Sequence, residues 1–278
     1  MMRSIPRDAV GSLLAKVADL LILPRYQNLR DKDIDTKSSA TDFVTIADRE
    51  AEAWLTPRLQ SIVNCPVIGE EAVAIDPDLR SLAGDGVVWT IDPVDGTANF
   101  VKGNERFCVM VAFAVDGVPQ QSWIWLPLER SLYYAIAGSG AEKVHNGSAS
   151  RLCAVASSPT FSSLVGGGNV KGLEGEQKDL IQQRLCTLPG RRFTGSAGVQ
   201  ASMLASGSDD YMAHGRCTPW DHAPVDLLCR EAGCHAAMVA TGAPYHTSNN
   251  GPFMITANQA IWNHLADTLW AGFAELAV

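Results

Sequence analysis

The stretch Trp89-Thr90-Ile91-Asp92-Pro93-Val94-Asp95-Gly96-Thr97-Ala98-Asn99-Phe100 runs an apolar strand straight into two carboxylates and a Gly-Thr turn. Val87, Val88, Trp89 and Ile91 are the β-branched and aromatic residues of a buried strand, and Pro93 with Gly96 stops it within a few residues. Asp92 and Asp95 then lie three apart across a bend, so both can aim oxygens at one small volume. Like charges so placed repel unless a cation joins them, and hard oxygen ligands suit Mg2+. The amides of Gly96 and Thr97 read as a helix's first turn, which holds an anion by direct donation and through the helix dipole. The alternative is a strand followed by an Asp-rich turn with no chemistry. A buried strand ending in two carboxylates is costly without a cation, which favours a metal and phosphate site.

Two further segments bear on that reading. Val67-Ile68-Gly69-Glu70-Glu71 repeats the pattern of apolar strand, glycine and carboxylates, although adjacent glutamates also form solvated surface turns. Trp220-Asp221-His222-Ala223-Pro224 opens an apolar helical stretch, with Asp221 placed as an N-cap and Pro224 inside the first turn, where its missing N–H is not needed. His222 is expected to be exposed at that helix start and is not a ligand, because Mg2+ takes oxygen.

Taken in order, these segments resemble the inositol monophosphatase family of Mg2+-dependent, lithium-sensitive sugar phosphatases. Lys37-Ser38-Ser39-Ala40-Thr41-Asp42-Phe43-Val44-Thr45-Ile46-Ala47-Asp48 is similar to the family's opening Lys-Ser-Ser-x-x-Asp-x-Val-Thr-x-x-Asp. Gly69-Glu70-Glu71, Asp92-Pro93-Val94-Asp95-Gly96-Thr97, Gly195-Ser196-Ala197 and Trp220-Asp221 follow in the family's order and approximate spacing. The resemblance implies a layered αβαβα sandwich, mixed α+β and α/β. Residues 1–148 would form a half with an antiparallel meander sheet, and residues 149–278 an α/β half that supplies Asp221 and substrate contacts. It further implies that one Mg2+ binds Glu70, Asp92 and the main-chain carbonyl of Val94, that a second binds Asp92, Asp95 and Asp221, and that Glu70 helps hold a third, weaker ion. Thr97 would hydrogen-bond Asp48, the two orienting and deprotonating a water, so the implied catalytic set is Asp48, Glu70, Asp92 and Thr97. The implied substrate contacts are Gly96, Thr97, Ser196, Ala197, His214 and Asp221.

Such a site meets the needs of phosphomonoester hydrolysis: an in-line nucleophile, neutralised phosphoryl oxygens and a stabilised leaving alkoxide. No Gly-x-Ser-x-Gly elbow and no Walker-type loop occurs. With 278 residues and a net charge of −8, the chain has ample material for a core and no surface suited to nucleic acid, Arg191-Arg192 being its longest basic run. The expected partner is therefore a small phosphorylated substrate. Seven cysteines without a Cys-x-x-Cys pair suit reduced thiols in a cytoplasm, and no long uncharged apolar run suggests a membrane span. The residues before Leu23 mix charges into an apolar pattern, as an amphipathic helix does and a signal peptide does not. A homodimer is expected, with the aromatic strand Trp123 to Trp125 as an exposed interface.

Helices are expected from the N-terminus to Leu23 and from Phe43 to Ile62, strands at 67 and 87, and a meander over Cys108–Val115, Val118–Trp125 and Leu132–Ala137. Beyond about residue 150, Ser163–Gly167, Arg192–Thr194, Asp209–Ala213, Cys234–Val239 and Phe253–Thr256 read as strands, and Gly175–Cys186, Val199–Ser206, Asp221–Glu231 and Gln259–Ala274 as helices. Gly166-Gly167-Gly168-Asn169 reads as a tight turn, with backbone approach to substrate as the alternative. Gly195-Ser196-Ala197-Gly198 is either a substrate loop or a plain strand-to-helix turn, and Lys37 either a charge near the phosphate or a solvated loop lysine.

Departures from the family pattern fall on specificity. Inositol-type members commonly carry a carboxylate six residues before the Trp-Asp pair, where this chain has His214. If His214 or Arg216 faces the pocket, a second phosphate or an amino-alcohol phosphate becomes a candidate beside an inositol phosphate. Histidinol phosphate, fructose 1,6-bisphosphate and 3′-phosphoadenosine compounds stay open as substrates. So does a different class of role, a regulatory binding protein with secondary phosphatase activity.

Overall fold

The computed structural model describes residues 4–36, 43–154 and 161–273. Helix α1 (Arg7–Val17) continues through a wider π-helical turn at Ala18–Ile22 and a short turn at Leu23–Arg25. Two short strands, β1 (Ile34–Thr36) and β2 (Phe43–Thr45), pair antiparallel ahead of α2 (Ile46–Ile62). Phe43–Thr45 is therefore strand, where the sequence suggests helix. Thr45 instead caps α2, its hydroxyl accepting from Ala47 N while Asp48 reaches back to Thr45 N. There follow β3 (Val67–Gly69), α3 (Glu70–Ile75), β4 (Val87–Asp95), α4 (Thr97–Val101) and the strands β5 (Cys108–Val115), β6 (Val118–Leu126), β7 (Ser131–Ile136), β8 (Gly140–His145) and β9 (Ser148–Arg151). Then come β10 (Gly166–Asn169), α5 (Gly175–Thr187), α6 (Ala197–Ala205), β11 (Tyr211–His214), α7 (Pro219–Glu231), β12 (His235–Met238), β13 (Phe253–Thr256) and α8 (Gln259–Thr268).

Strands β3 to β9 form one seven-stranded sheet in sequence order, parallel only between β3 and β4. The second sheet runs β10-β11-β13-β12, parallel only between β10 and β11. Strand β5 shows how the layers stack. Its residues are almost all buried: Val109, Val111 and Phe113 join a core with α1 and α2, and Cys108, Met110 and Ala112 join one with α6 and α7. A strand covered on both faces reads as a continuous apolar run rather than an alternating one. Helices therefore line both faces of the large sheet, the small sheet follows beyond α6 and α7, and α5 and α8 complete the αβαβα sandwich.

Several local expectations are corrected. Gly166–Asn169 is a strand and not a turn; its glycines admit neighbouring backbone, since a Cβ on Gly167 would lie 2.5 Å from Arg192 O and one on Gly168 2.8 Å from Ala213 O. Arg192–Thr194 forms no strand. Helix α8 ends at Thr268, ahead of the expected Ala274, which lies outside the described residues. Trp123 is fully buried against Trp89 and Tyr134, with its indole N–H donating to Arg7 O, so that strand is no exposed aromatic surface. Among the described residues no helix is long and apolar enough to cross a membrane.

Candidate active site

Strand parity alone would send Asp92 and Asp95 to opposite faces, because side chains alternate with period two. The register removes the conflict. Asp92 pairs with Met110 and Asp95 with Cys108, so three residues on β4 span two on β5, and one residue is bulged out. Met110 and Cys108 face the layer of α6 and α7, and both aspartates follow them there. Pro93 sits inside this bulge, where the ladder needs no donor from it. The sequence reading of a bend is thus realised as a bulge within a strand that runs on to Asp95.

Two other elements close on the bulge. Strand β3, parallel to β4, delivers Glu70 as the first residue of α3. The buried carboxylate of Glu52 on α2 fixes that helix start, accepting from Glu71 N and Ala72 N, each at 2.8 Å. Asp221 comes from the third helical position of α7, whose cap residue is Thr218, so it is not the N-cap. Pro224 accordingly falls in the second turn, where its lacking N–H removes the donor that Trp220 O would otherwise receive. Glu70, Asp92 and Asp221 each place a carboxylate oxygen within 4.8 Å of the others. Burial first, then the charges of Glu70, Asp95 and Asp221, push Asp92 well above the usual carboxylate range. Burial acts upward on Asp221 too, but His222, Lys171 and a hydrogen bond shared with Asp92 hold it below its ordinary value. An all-oxygen donor set whose central member, Asp92, is so short of positive charge fits a hard divalent cation.

Asp95 takes part differently. Its Oδ2 accepts from Ser196 Oγ at 2.5 Å, Gly198 N at 2.7 Å and the Cys108 thiol at 3.3 Å, while Oδ1 accepts from Ala197 N at 3.1 Å. Ser196 and Ala197, expected at the substrate, thus also grip Asp95 at the start of α6. Past Asp95, Gly96 caps α4 at φ +91°, a conformation that favours glycine. Thr97 Oγ1 lies 3.1 Å from Asp48 Oδ1 and 3.0 Å from Val94 O. The Val94 carbonyl therefore faces Thr97, and the Val94 side chain packs into the core below. The second Asp48 oxygen accepts from the Thr45 amide and hydroxyl at 2.8 and 2.6 Å.

A cavity of about 790 Å3 opens over these groups, lined among others by Glu70, Asp95, Ser196, Ala197, His214 and Asp221. His222 is buried rather than exposed, because α7 lies between two sheets, and its Nε2 stands 2.6 Å from His214 Nδ1. Burial lowers both imidazoles, His214 to about 3 and His222 to about 4. Lys37 lies outside the described residues. Glu52 and Cys108 are the site neighbours that sequence reasoning passed over. Glu52 sits one helical turn after Asp48, a spacing that flags a shared face, whereas nothing local marks Cys108.

An αβαβα sandwich with clustered carboxylates beside a cavity of about 790 Å3 suits a protein that binds a cation and a small molecule together. The model of the inositol monophosphatase family matches residues 6–272. Inositol-1-monophosphatase SuhB of Mycobacterium tuberculosis is 30% identical over 213 residues, covering 75% of this chain and 72% of the relative. Nus factor SuhB of Vibrio cholerae is 30% identical over 224 residues, 77% of this chain and 79% of the relative. Among solved structures, Thermotoga maritima IMPase superposes with a TM-score of 0.79 at 23% identity, covering 97% of this chain and 98% of that one. The chain belongs to the inositol monophosphatase family.

Proposed function

We propose that this protein is a Mg2+-dependent phosphomonoesterase that hydrolyses a small phosphorylated alcohol by direct attack of water on phosphorus. The convergence of Glu70, Asp92 and Asp221 within 4.8 Å carries the reading. Two Mg2+, with room for a third, would be held by Glu70, Asp92 and the Val94 carbonyl on one side and by Asp92, Asp95 and Asp221 on the other. Bound there, Mg2+ would neutralise phosphoryl oxygens and lower the pKa of an attacking water.

The chain's own groups do the rest. Thr97 Oγ1 accepts the water's proton as it passes its own to Asp48, whose second oxygen Thr45 keeps fixed. The Gly96 and Thr97 amides receive the phosphate at the start of α4. Asp95, gripped by the first turn of α6, cannot swing away as charge develops. The alcohol in this reading is inositol-phosphate-like, with histidinol phosphate, fructose 1,6-bisphosphate and 3′-phosphoadenosine compounds as its alternatives. A dimer in the cytoplasm completes the reading.

A second reading is kept because the Vibrio cholerae relative is called a Nus factor: a regulatory binding role, tested by pull-down without substrate. The deciding experiment is phosphate release from a substrate panel with Mg2+ and with EDTA, for wild type and Asp95→Asn. Release that needs Mg2+ and is lost in the variant supports the phosphatase. Release untouched by EDTA sinks the mechanism, and no release at all makes the binding role the leading one.

A further inference from the structure

Strands β10 and β11 run parallel with Asn169 opposite His214, so both end at one level. Ligands of open α/β sheets bind outside such carboxyl ends. Two residues beyond each paired end stands a cation: Lys171 after Asn169 and Arg216 after His214. The register alone therefore sets two basic residues side by side.

Local contacts lock the pair. Gly215 N donates to Asn169 O at 3.0 Å and Lys171 N to Asn169 Oδ1 at 3.1 Å. Gly172, at φ +80°, lets the Arg216 stem lie across it; a Cβ there would stand 2.5 Å from Arg216 Cβ and 2.8 Å from its Cδ. Both cations are exposed and line the same cavity as Glu70, Asp95 and Asp221. Neither forms a contact ion pair among the described residues; Lys171 acts on Asp221 only through its field, which leaves both heads free to meet an anion. In a chain of net charge −8, two exposed cations on the wall of the active cavity give that wall a local positive field.

We propose that Lys171 and Arg216 form a second anion subsite, so that the preferred substrate is a phosphomonoester carrying another anionic group. This deepens the phosphatase reading and rests on it. Matched pairs isolate the second anion: fructose 1,6-bisphosphate against fructose 1-phosphate for a phosphate, and 3-phosphoglycerate against glycerol 1-phosphate for a carboxylate. Wild type should favour the doubly anionic member by roughly tenfold or more in kcat/KM, the scale of a charged hydrogen bond. The pair with the larger ratio names the second anion.

In the Lys171→Gln/Arg216→Gln variant the ratio within the preferred pair should collapse towards one, at an ionic strength that screens long-range steering. An equal loss on both members, or a wild type that favours the singly charged ones, overturns the subsite. If no compound is hydrolysed, calorimetric affinities for the same pairs with Ca2+ separate the two claims. A second-anion advantage lost in the variant keeps the subsite while the phosphatase reading falls; equal affinities end both.

Discussion

Replacing Glu52 by alanine should loosen the metal cluster without touching it. Its buried carboxylate accepts two amide hydrogen bonds, both 2.8 Å, at the first turn of α3, the turn that begins with Glu70. Charge-assisted bonds are each worth about 1.5–3 kcal/mol. Removing a buried charge returns part of its desolvation penalty, which leaves a net loss of about 2–3 kcal/mol. For a chain of this size that lowers Tm by roughly 5–10 °C. Helix α3 has only six residues and Glu52 bonds the amides of its first turn, so without Glu52 the Glu70 carboxylate loses its fixed aim. The Mg2+ concentration giving half the maximal rise in Tm should increase about tenfold, the equivalent of about 1.4 kcal/mol of lost preorganisation. Calorimetric melting across a MgCl2 series reads both quantities, and Glu52→Gln, which keeps one acceptor oxygen, should fall between. A lowered Tm with an unmoved Mg2+ midpoint would show that Glu52 is a helix cap and nothing more.

Other perturbations test other joints of the site. Asp92→Asn should raise Tm in EDTA, because it removes a charge crowded by Glu70, Asp95 and Asp221, and should abolish the rise that Mg2+ gives wild type; a lower Tm in EDTA would contradict the electrostatic account. Gly96→Ala combines a strained φ of +91° with a Cβ 2.7 Å from Arg106 O and should cost about 2–3 kcal/mol in chemical denaturation. Burial raises Asp226 from 3.8 to about 6 despite Arg230, so its contribution to stability is present below pH 3.8 and lost as pH rises through 6. Urea unfolding should show the stability gap between wild type and Asp226→Asn shrinking by about 2 kcal/mol from pH 4.5 to 7.5, and a constant gap would refute the shift.

Legibility in the sequence followed the range of the forces involved. The meander is plain because Asp116-Gly117 and Gly138-Ser139-Gly140 punctuate it locally, and the carboxylates of 92 and 95 stand out because they are costly at the end of a buried strand, whereas Asp221 reads locally as an N-cap and joins them only through the family resemblance. What failed were matters of partnership. Phe43–Thr45 became strand only because Ile34–Thr36 lies beside it, and a triple glycine became strand only because Tyr211, Arg192 and Ala213 press on it. His222 and Trp123 looked like surface residues because nothing within a few positions of either announces the second layer that buries them. Glu52 looked like one more charge on a helix until β3 and α3 arrived to use it.

Those partnerships also explain how so many acids share one interior. Helices α3, α6 and α7 all begin at the site, and a helix start offers unpaired amides and the positive end of a dipole. Glu52 takes the amides of α3, Asp95 those of α6, and Asp221 stands in the first turn of α7. Asp92 has no helix start; it accepts from the Val94 amide at 3.0 Å and shares a hydrogen bond with another acid, Asp221. Its proton affinity is pushed well above the usual carboxylate range, while Asp221 stays below its own. The fold therefore satisfies the surrounding carboxylates and leaves the deficit of positive charge on the buried residue that the bulge in β4 turns towards Glu70 and Asp221, the deficit that a divalent cation there would make up.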